Sequence, residues 1–328
     1  MSNLQNVATG VPQGSCLGPL FFIIYINDIV KIISNVNIIL FADDIVIYTN
    51  SNSFDGTCST LNNNLKSIHQ WSCANQLVLN PSKSKVIHFS PSPTSPAAPD
   101  VTIANSAVEV VSSIKYLGLT IQSNLKFNSH ISNVINQISK GTGILYAMKA
   151  FLPSECLRKL YFAFIYPHLV FHILAWGGSR PNLLNPLAIS QNKAVRNLNI
   201  STSASETYKL LNLLKFEDIY KLNLAAFMYH QINEHDIYFE FITDSYINHQ
   251  YATRSSQYFR IPVMRTIVNE SLFLNKGLVL WNSIPDEIKE SQSHSIFKKK
   301  YRNHLQSTNW GTLWMLINIW MTLVIFVS

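Results

Sequence analysis

The stretch "IILFADDIVIY", residues 38–48, sets two adjacent carboxylates, Asp43 and Asp44, between two runs of β-branched apolar residues. Flanks of this kind read as the arms of a hairpin, with Ala42, Asp43 and Asp44 at its turn and the arms buried around it. Neighbouring carboxylates repel, so such a turn needs compensating positive charge. A divalent cation is the usual source, since Mg²⁺ takes carboxylate oxygens and leaves positions open for phosphate. Alone, the pair is also a common surface turn, so the surrounding chain has to decide.

Upstream, "GVPQGSCLGPLFFIIYINDIV" (10–30) begins as a loop marked by Gly10, Pro12 and Gly14. It continues as an apolar run over 18–31 that predicts a buried helix. Downstream, "TCSTLNNNLKSIHQWSCANQL" (57–77) aligns Leu61, Leu65, Ile68 and Trp71 on one face of an amphipathic helix. "LNPSKSKVIHF" (79–89) is turn chemistry leading into a strand, and "SPSPTSPAAP" (90–99) is a loop and subdomain boundary. Strands broken at Gly118 and Ser123-Asn124 follow over 108–127. From 130 to about 235 the pattern is helical, interrupted at Pro153, Pro167, Gly177-Gly178 and Pro181.

The chain has 328 residues, 47% of them apolar, enough for a substantial core. Charged residues are sparse at 13%, with 25 Lys and Arg against 18 Asp and Glu. Residues 1–90 balance to zero, whereas 101–200 carry nine basic groups against Glu109 and Glu155. A basic middle beside an acidic turn suits a polyanionic partner, and solvated helix faces are the bland alternative. Cys16, Cys58, Cys73 and Cys156 form no CxxC, which reads as a reduced protein inside the cell. The tail "WGTLWMLINIWMTLVIFVS" (310–328) has no charge and follows the basic run "KKKYR". It reads either as a marginal membrane span with its basic flank cytoplasmic or as a buried tail.

Taken in order, "GVPQGSCLGPLFFIIYINDI", "LFADDIVIY", "LNPSKSKVIHF" and "IKYLGLTIQSNLKFNSHI" resemble the reverse transcriptases of non-LTR retrotransposons, the jockey-like and related LINE-type elements. The resemblance is strong over about residues 9–175 and looser through "LWNSIPDEIKESQSHSIFKKKYRNHL" (280–305). It implies an α+β fold: a partial polymerase palm, an antiparallel sheet with helices, over 1–128, and a helical thumb over 129–235. A retroelement-type extension over 236–309 and the apolar tail complete that division.

The implied activity is RNA-directed DNA polymerisation, with an RNA template, a DNA primer, dNTPs and Mg²⁺ or Mn²⁺, in the cytoplasm or nucleus. Asp43 and Asp44 become the metal ligands and catalytic pair. Gly10, Gln13 and Gly14 border nucleotide and template, and Lys83 lies near the triphosphate. Tyr116, Leu117 and Gly118, in "YLGLTI", form the primer grip. Lys140, Lys149, Arg158, Lys159, Lys193 and Arg196 contact phosphates of the hybrid. Tyr146, Phe151, Tyr161, Phe162, Phe164 and Tyr166 read as core at helical spacing. Asp28 reads as a local cap, and His168 and His172 as packed or surface groups. The family pattern has glycine where His172 stands, so the local turn is expected to be disturbed.

The family also places a third carboxylate on a strand before the "PQG" block. The eight residues that precede "TGVPQG" here contain no acid. The resulting expectation is an N-terminally truncated polymerase with little activity alone and an uncovered palm edge. Two alternatives are a non-catalytic nucleic-acid-binding remnant acting through the basic thumb, and a membrane-tethered remnant resting on 310–328.

Overall fold

The computed structural model describes residues 14–50, 53–89, 99–199, 203–234 and 272–307, with the single positions 238, 259 and 261. Gly10, Gln13 and the apolar tail 310–328 lie outside the described residues. Among those described, no helix is long and apolar enough to cross a membrane. The chain divides into two compact units. One comprises Met1–Tyr116 with Ile121–Asn124, and the other Leu117–Thr120 with Leu125–Ser328.

The first unit opens on helix α1 (Gly18–Ile26), started by a proline in its first turn where no amide donor is needed. A 3₁₀ segment (Asn27–Ile32) leads into strands β1 (Asn37–Phe41) and β2 (Asp44–Tyr48), an antiparallel pair. Helix α2 (Phe54–Ala74) is capped by the Ser53 side chain, which accepts from the Gly56 amide. Its predicted apolar stripe serves two clusters. Ile68 joins Ile26 and Ile29 with Trp71 alongside, while Leu61 and Leu65 pack on Val101, Ile103 and Val108.

The remaining strands are short: β3 (Lys85–Val86), β4 (Thr102–Ile103), β5 (Ser106–Ala107), β6 (Glu109–Val110), β7 (Ser113–Tyr116) and β8 (Leu119–Gln122). Among the described residues they pair only two by two, as β1-β2, β3-β6, β4-β5 and β7-β8, and β3-β6 is parallel. The expected single antiparallel sheet is therefore not what these strands form. Two- and four-residue strands offer too few ladder positions to recruit a third neighbour.

Helix α1 forms where predicted, but contrary to expectation it is not buried: Leu20, Phe21, Ile23 and Ile24 are each at least half exposed. Apolar side chains ring this helix, and the unit covers only the side carrying Gly18 and Ile26.

The second unit is helical: α3 (Asn128–Met148), α4 (Ser154–Phe164), α5 (Tyr166–Val170), α6 (Ile173–Trp176), α7 (Pro181–Arg196), α8 (Ala204–Leu210) and α9 (Phe216–Glu234). They continue in α10 (Phe273–Ser283), α11 (Asp286–Lys289) and α12 (His294–Ser307). Pro153, Pro167 and Pro181 sit at helix starts, as their missing amide donor dictates. α3 packs on α7 and α4, and α9 carries α10 and α12 on its flanks.

The core of this unit holds Tyr161, Trp176, Phe216 and Phe297, all but closed to solvent. Gln191 of α7 is buried among them and fully used. Its amide nitrogen donates to the Tyr161 hydroxyl at 2.9 Å and to Leu214 O at 3.0 Å, and its oxygen accepts from Phe216 N at 2.8 Å. One side chain thus ties α4, α7 and the start of α9, and each polar group has a partner.

Candidate active site

The β1-β2 hairpin has Asn37 opposite Tyr48 and Phe41 opposite Asp44, which leaves Ala42 and Asp43 as a two-residue turn. Ala42 takes the left-handed conformation at φ 51°, a region that a side chain normally avoids. The alternation of strand side chains sends Ile38, Leu40, Ile45 and Ile47 into the cluster around Ile26, Ile29 and Ile68. Only this face of the arms is covered; Ile39, Phe41 and Tyr48 are about half exposed. The expectation of buried arms thus holds for one face alone.

Asp43 and Asp44 are both exposed, and neither has an ion pair among the described residues. One neighbour is informative. The Tyr116 hydroxyl is buried without a hydrogen-bond partner, and burial, then the charge of Asp44, holds its pKa above the ordinary phenol value. The strand of the "YLG" motif is thereby brought within electrostatic reach of the acidic turn. The carboxylates gain no third member: no group of three or more His, Cys, Asp or Glu is placed to hold a metal among the described residues. Two adjacent carboxylates fit one Mg²⁺ completed by substrate phosphates, and they do not make a two-ion clamp.

Around this turn the other predicted residues fall as follows. Gly14 has φ 87° with open space where a Cβ would project, a conformation suited to glycine. Lys83 is exposed, on a turn organised by Asn80, whose side-chain oxygen accepts from Ser82 N at 3.1 Å and from Lys83 N at 3.3 Å. It has no ion pair among the described residues, whereas Lys85 is paired with Glu109 across β3-β6. Asp28 binds Lys31 at 2.7 Å, a local exposed pair.

The "YLG" turn shows what the sequence did not disclose. Leu117 and Gly118, at φ 45° and 84°, form a two-residue turn between β7 and β8. A Cβ on Gly118 would lie 2.7 Å from the Phe171 ring, so only glycine fits there. His172 Nε2 lies 3.0 Å from Leu117 O and must be the donor, because a carbonyl only accepts. Thr120 N in turn donates to His130 Nδ1 at 3.3 Å. Trp176 Nε1 holds Phe171 O at 2.9 Å, and its ring stacks on Phe216.

Residues 117–120 are thus held within the second unit by two histidines and a phenylalanine. His172 occupies the left-handed region at φ 51°, where the family's glycine would be at ease. There the imidazole makes a hydrogen bond that glycine could not. The one signal in the sequence was that substitution.

The six basic residues expected to contact the hybrid are not gathered on one face. Lys140 lies on α3 and Lys149 caps its end, nine positions on and on the opposite side of the helix axis. Lys149 lies 4.1 Å from the Tyr146 ring centre. Arg158 donates Nε to Leu211 O at 2.8 Å and covers Phe162, while Lys159 is exposed. Lys193 and Arg196 close α7, where cations suit the helix dipole. Of the aromatic residues read as core, Tyr161 is buried, but Tyr146 is 64% and Phe151 81% exposed. They fall at the outward end of α3 and in the following turn, where helical spacing carries no information about cover.

Residues 3–121 match the family "Reverse transcriptase (RNA-dependent DNA polymerase)". The RNA-directed DNA polymerase from the mobile element jockey of Drosophila melanogaster is 26% identical over 207 residues, 60% of this chain. The probable RNA-directed DNA polymerases of the transposons X-element and BS, from the same fly, are 26% and 25% identical over 204 and 197 residues. The chain spans 22% of the length of each of these relatives. No solved structure matches. Residues 3–121 accordingly resemble a reverse-transcriptase segment, and the chain that carries them is similar to the RNA-directed DNA polymerases of non-LTR retrotransposons.

Proposed function

We propose that the chain is part of an RNA-directed DNA polymerase working inside the cell, in cytoplasm or nucleus. It acts in the addition of dNTPs to a primer 3′-hydroxyl on an RNA template. The observation that carries this reading is the hairpin that presents Asp43 and Asp44, exposed and without an ion pair among the described residues, with Tyr116 of the "YLG" strand in electrostatic reach. A divalent ion, Mg²⁺ or Mn²⁺, on these carboxylates would neutralise the triphosphate and make the primer hydroxyl a better nucleophile.

The chain's own groups do the rest by position. Lys83, which has no ion pair among the described residues, offers its ammonium for pyrophosphate charge, with Gly10, Gln13 and Gly14 proposed to border the nucleotide. The turn at Tyr116, Leu117 and Gly118 orients the primer end. Lys140, Lys149, Arg158, Lys159, Lys193 and Arg196 meet backbone phosphates as separate points rather than as a continuous track.

The chain by itself is proposed to turn over poorly, because among the described residues no third ligand joins the two carboxylates, which leaves ion affinity and in-line geometry weak. The same observation favours a second reading, binding of nucleic acid without catalysis. Primer extension on an RNA template with Mg²⁺ or Mn²⁺ separates the two. Extension at background level, with hybrid affinity unchanged in Asp43→Asn, is the expected result. Robust extension that disappears in Asp43→Asn would overturn the prediction of low activity and establish the polymerase reading outright.

A further inference from the structure

The most basic run in the chain, "KKKYR" (298–302), lies on α12, outside the residues assigned to nucleic acid above. Phe297, Tyr301 and Leu305 recur at helical spacing and are buried, with Phe297 stacked on Tyr229 of α9. That anchoring fixes where the cations point. Lys298, Lys299 and Lys300 are all exposed, and α12 contains no acidic residue in its 14 positions.

A helix face that serves only to be wet ordinarily alternates the signs of its charges. Here the sign is single. The cations are also unequally committed. Lys300 turns to Glu287 O at 3.3 Å on α11, the acidic side of this corner, where Lys289 already pairs with Asp286. Lys298 and Lys299 have no ion pair among the described residues.

Arg302 reaches the other way and donates to Asn212 O at 3.0 Å. The preceding carbonyl, Leu211 O, is held by Arg158 of α4. Two guanidinium groups from elements far apart in sequence therefore meet on one loop, and the exposed lysines of α12 extend the basic surface begun by Arg158.

We propose that this corner, Lys298, Lys299 and Arg302 of α12 with Arg158 of α4, is a docking surface for the phosphate backbone of a nucleic-acid duplex. The charge of the patch calls for a polyanion, and the identity of that polyanion rests on the polymerase reading. The contact needs no base readout, because lysines on a rigid helix neutralise phosphates wherever the sequence places them.

The test measures binding of the full chain to a labelled RNA/DNA hybrid over a range of salt concentrations. Lys298→Gln with Lys299→Gln is expected to weaken binding at low salt and to reduce the slope of log affinity against log salt by about 2. Lys298→Arg with Lys299→Arg is expected to restore both. Thermal unfolding of the Gln pair should match the parent, because both side chains are exposed. If the parent binds the hybrid and the Gln pair binds with the same slope, the docking surface is refuted and the polymerase reading stands. If the parent has no affinity for the hybrid, both fall. Flotation with phosphatidylserine-containing vesicles is the third arm. Vesicle binding lost in the Gln pair, with hybrid binding intact, would overturn the proposal by assigning the face to anionic lipid.

Discussion

Among single residues, His130 carries the sharpest consequence. Its Nδ1 accepts from Thr120 N, so the proton must sit on Nε2, which is buried and has no partner. Burial, then the charge of His172, lowers its pKa from the ordinary 6.5. Protonation would turn the acceptor into a donor and orphan the Thr120 amide. The unfolded chain therefore binds the proton more readily, and stability falls as pH drops below about 6.5, by at most about 1.4 kcal/mol per pH unit.

Asp218 acts in the opposite direction. Burial raises it from 3.8 to about 6, so its contribution weakens as pH rises between those values. Chemical denaturation of the parent and of His130→Gln, compared across pH, cancels that slope. The expected difference is flat above pH about 7.5 and moves against the parent on acidification. A difference independent of pH from 5 to 8, in a folded variant, would remove His130 from this role. Neither histidine was legible as a clasp in "YLGLTIQSNLKFNSH" or "PHLVFH". Their partners are backbone groups, and a sequence pattern records side chains.

At the scale of elements, legibility follows the covalent rules. The hairpin at 37–48, the stripe of α2 and the proline-started helices of the second unit could all be read, because periodicity and missing donors are written locally. What could not be read was cover. The apolar runs at 18–31 and 38–48 announced burial, but a run says only that burial is favourable, and α1 and one hairpin face receive little of it.

The polar side of α2 was equally silent. Asn64 is buried, accepts from Ser34 N at 2.9 Å, and donates to Ser34 O at 2.9 Å and Thr60 O at 2.8 Å. It thereby pins the entry to β1 onto the helix. Removing it costs Ser34 both of these bonds, and because Ser34 is exposed water can replace them in part, so Asn64→Ala is expected to cost roughly 1–2 kcal/mol in urea denaturation. The exposed neighbour Asn63→Ala should stay within about 0.5 kcal/mol. Equal losses at both positions would mean that the residue matters only to helix propensity.

For the whole molecule, the boundary between units decides how it unfolds. Among the described residues, two small clusters stabilise the first unit, one on Ile26, Ile29 and Ile68 and the other on Val101, Ile103 and Val108. The second unit buries Tyr161, Trp176, Phe216 and Phe297 together with Ile138, Leu145, Ile165, Leu169, Leu187 and Leu198. At about 1.5–3 kcal/mol for each large side chain fully withdrawn from water, the second unit holds much the larger apolar reserve. Because residues 117–120 are clasped by His130, Phe171 and His172, the tip of the β7-β8 hairpin belongs with that stronger unit.

Native-state hydrogen exchange should therefore resolve two classes. Amides of α2 and the β1-β2 hairpin are expected to exchange by a lower-energy opening. Those of α3, α7 and α9, together with Thr120 at the clasped tip, are expected to persist to a higher one. Rising denaturant should release the first class while the second remains protected. If Thr120 exchanged with the β1-β2 amides, the clasp would be too weak to assign the tip to the helices. If all amides opened together, the two units would be one cooperative body. Where the two classes are resolved, the acidic turn lies in the part of the chain that opens first, and a bound ion or hybrid that stabilises that turn should raise the lower class selectively.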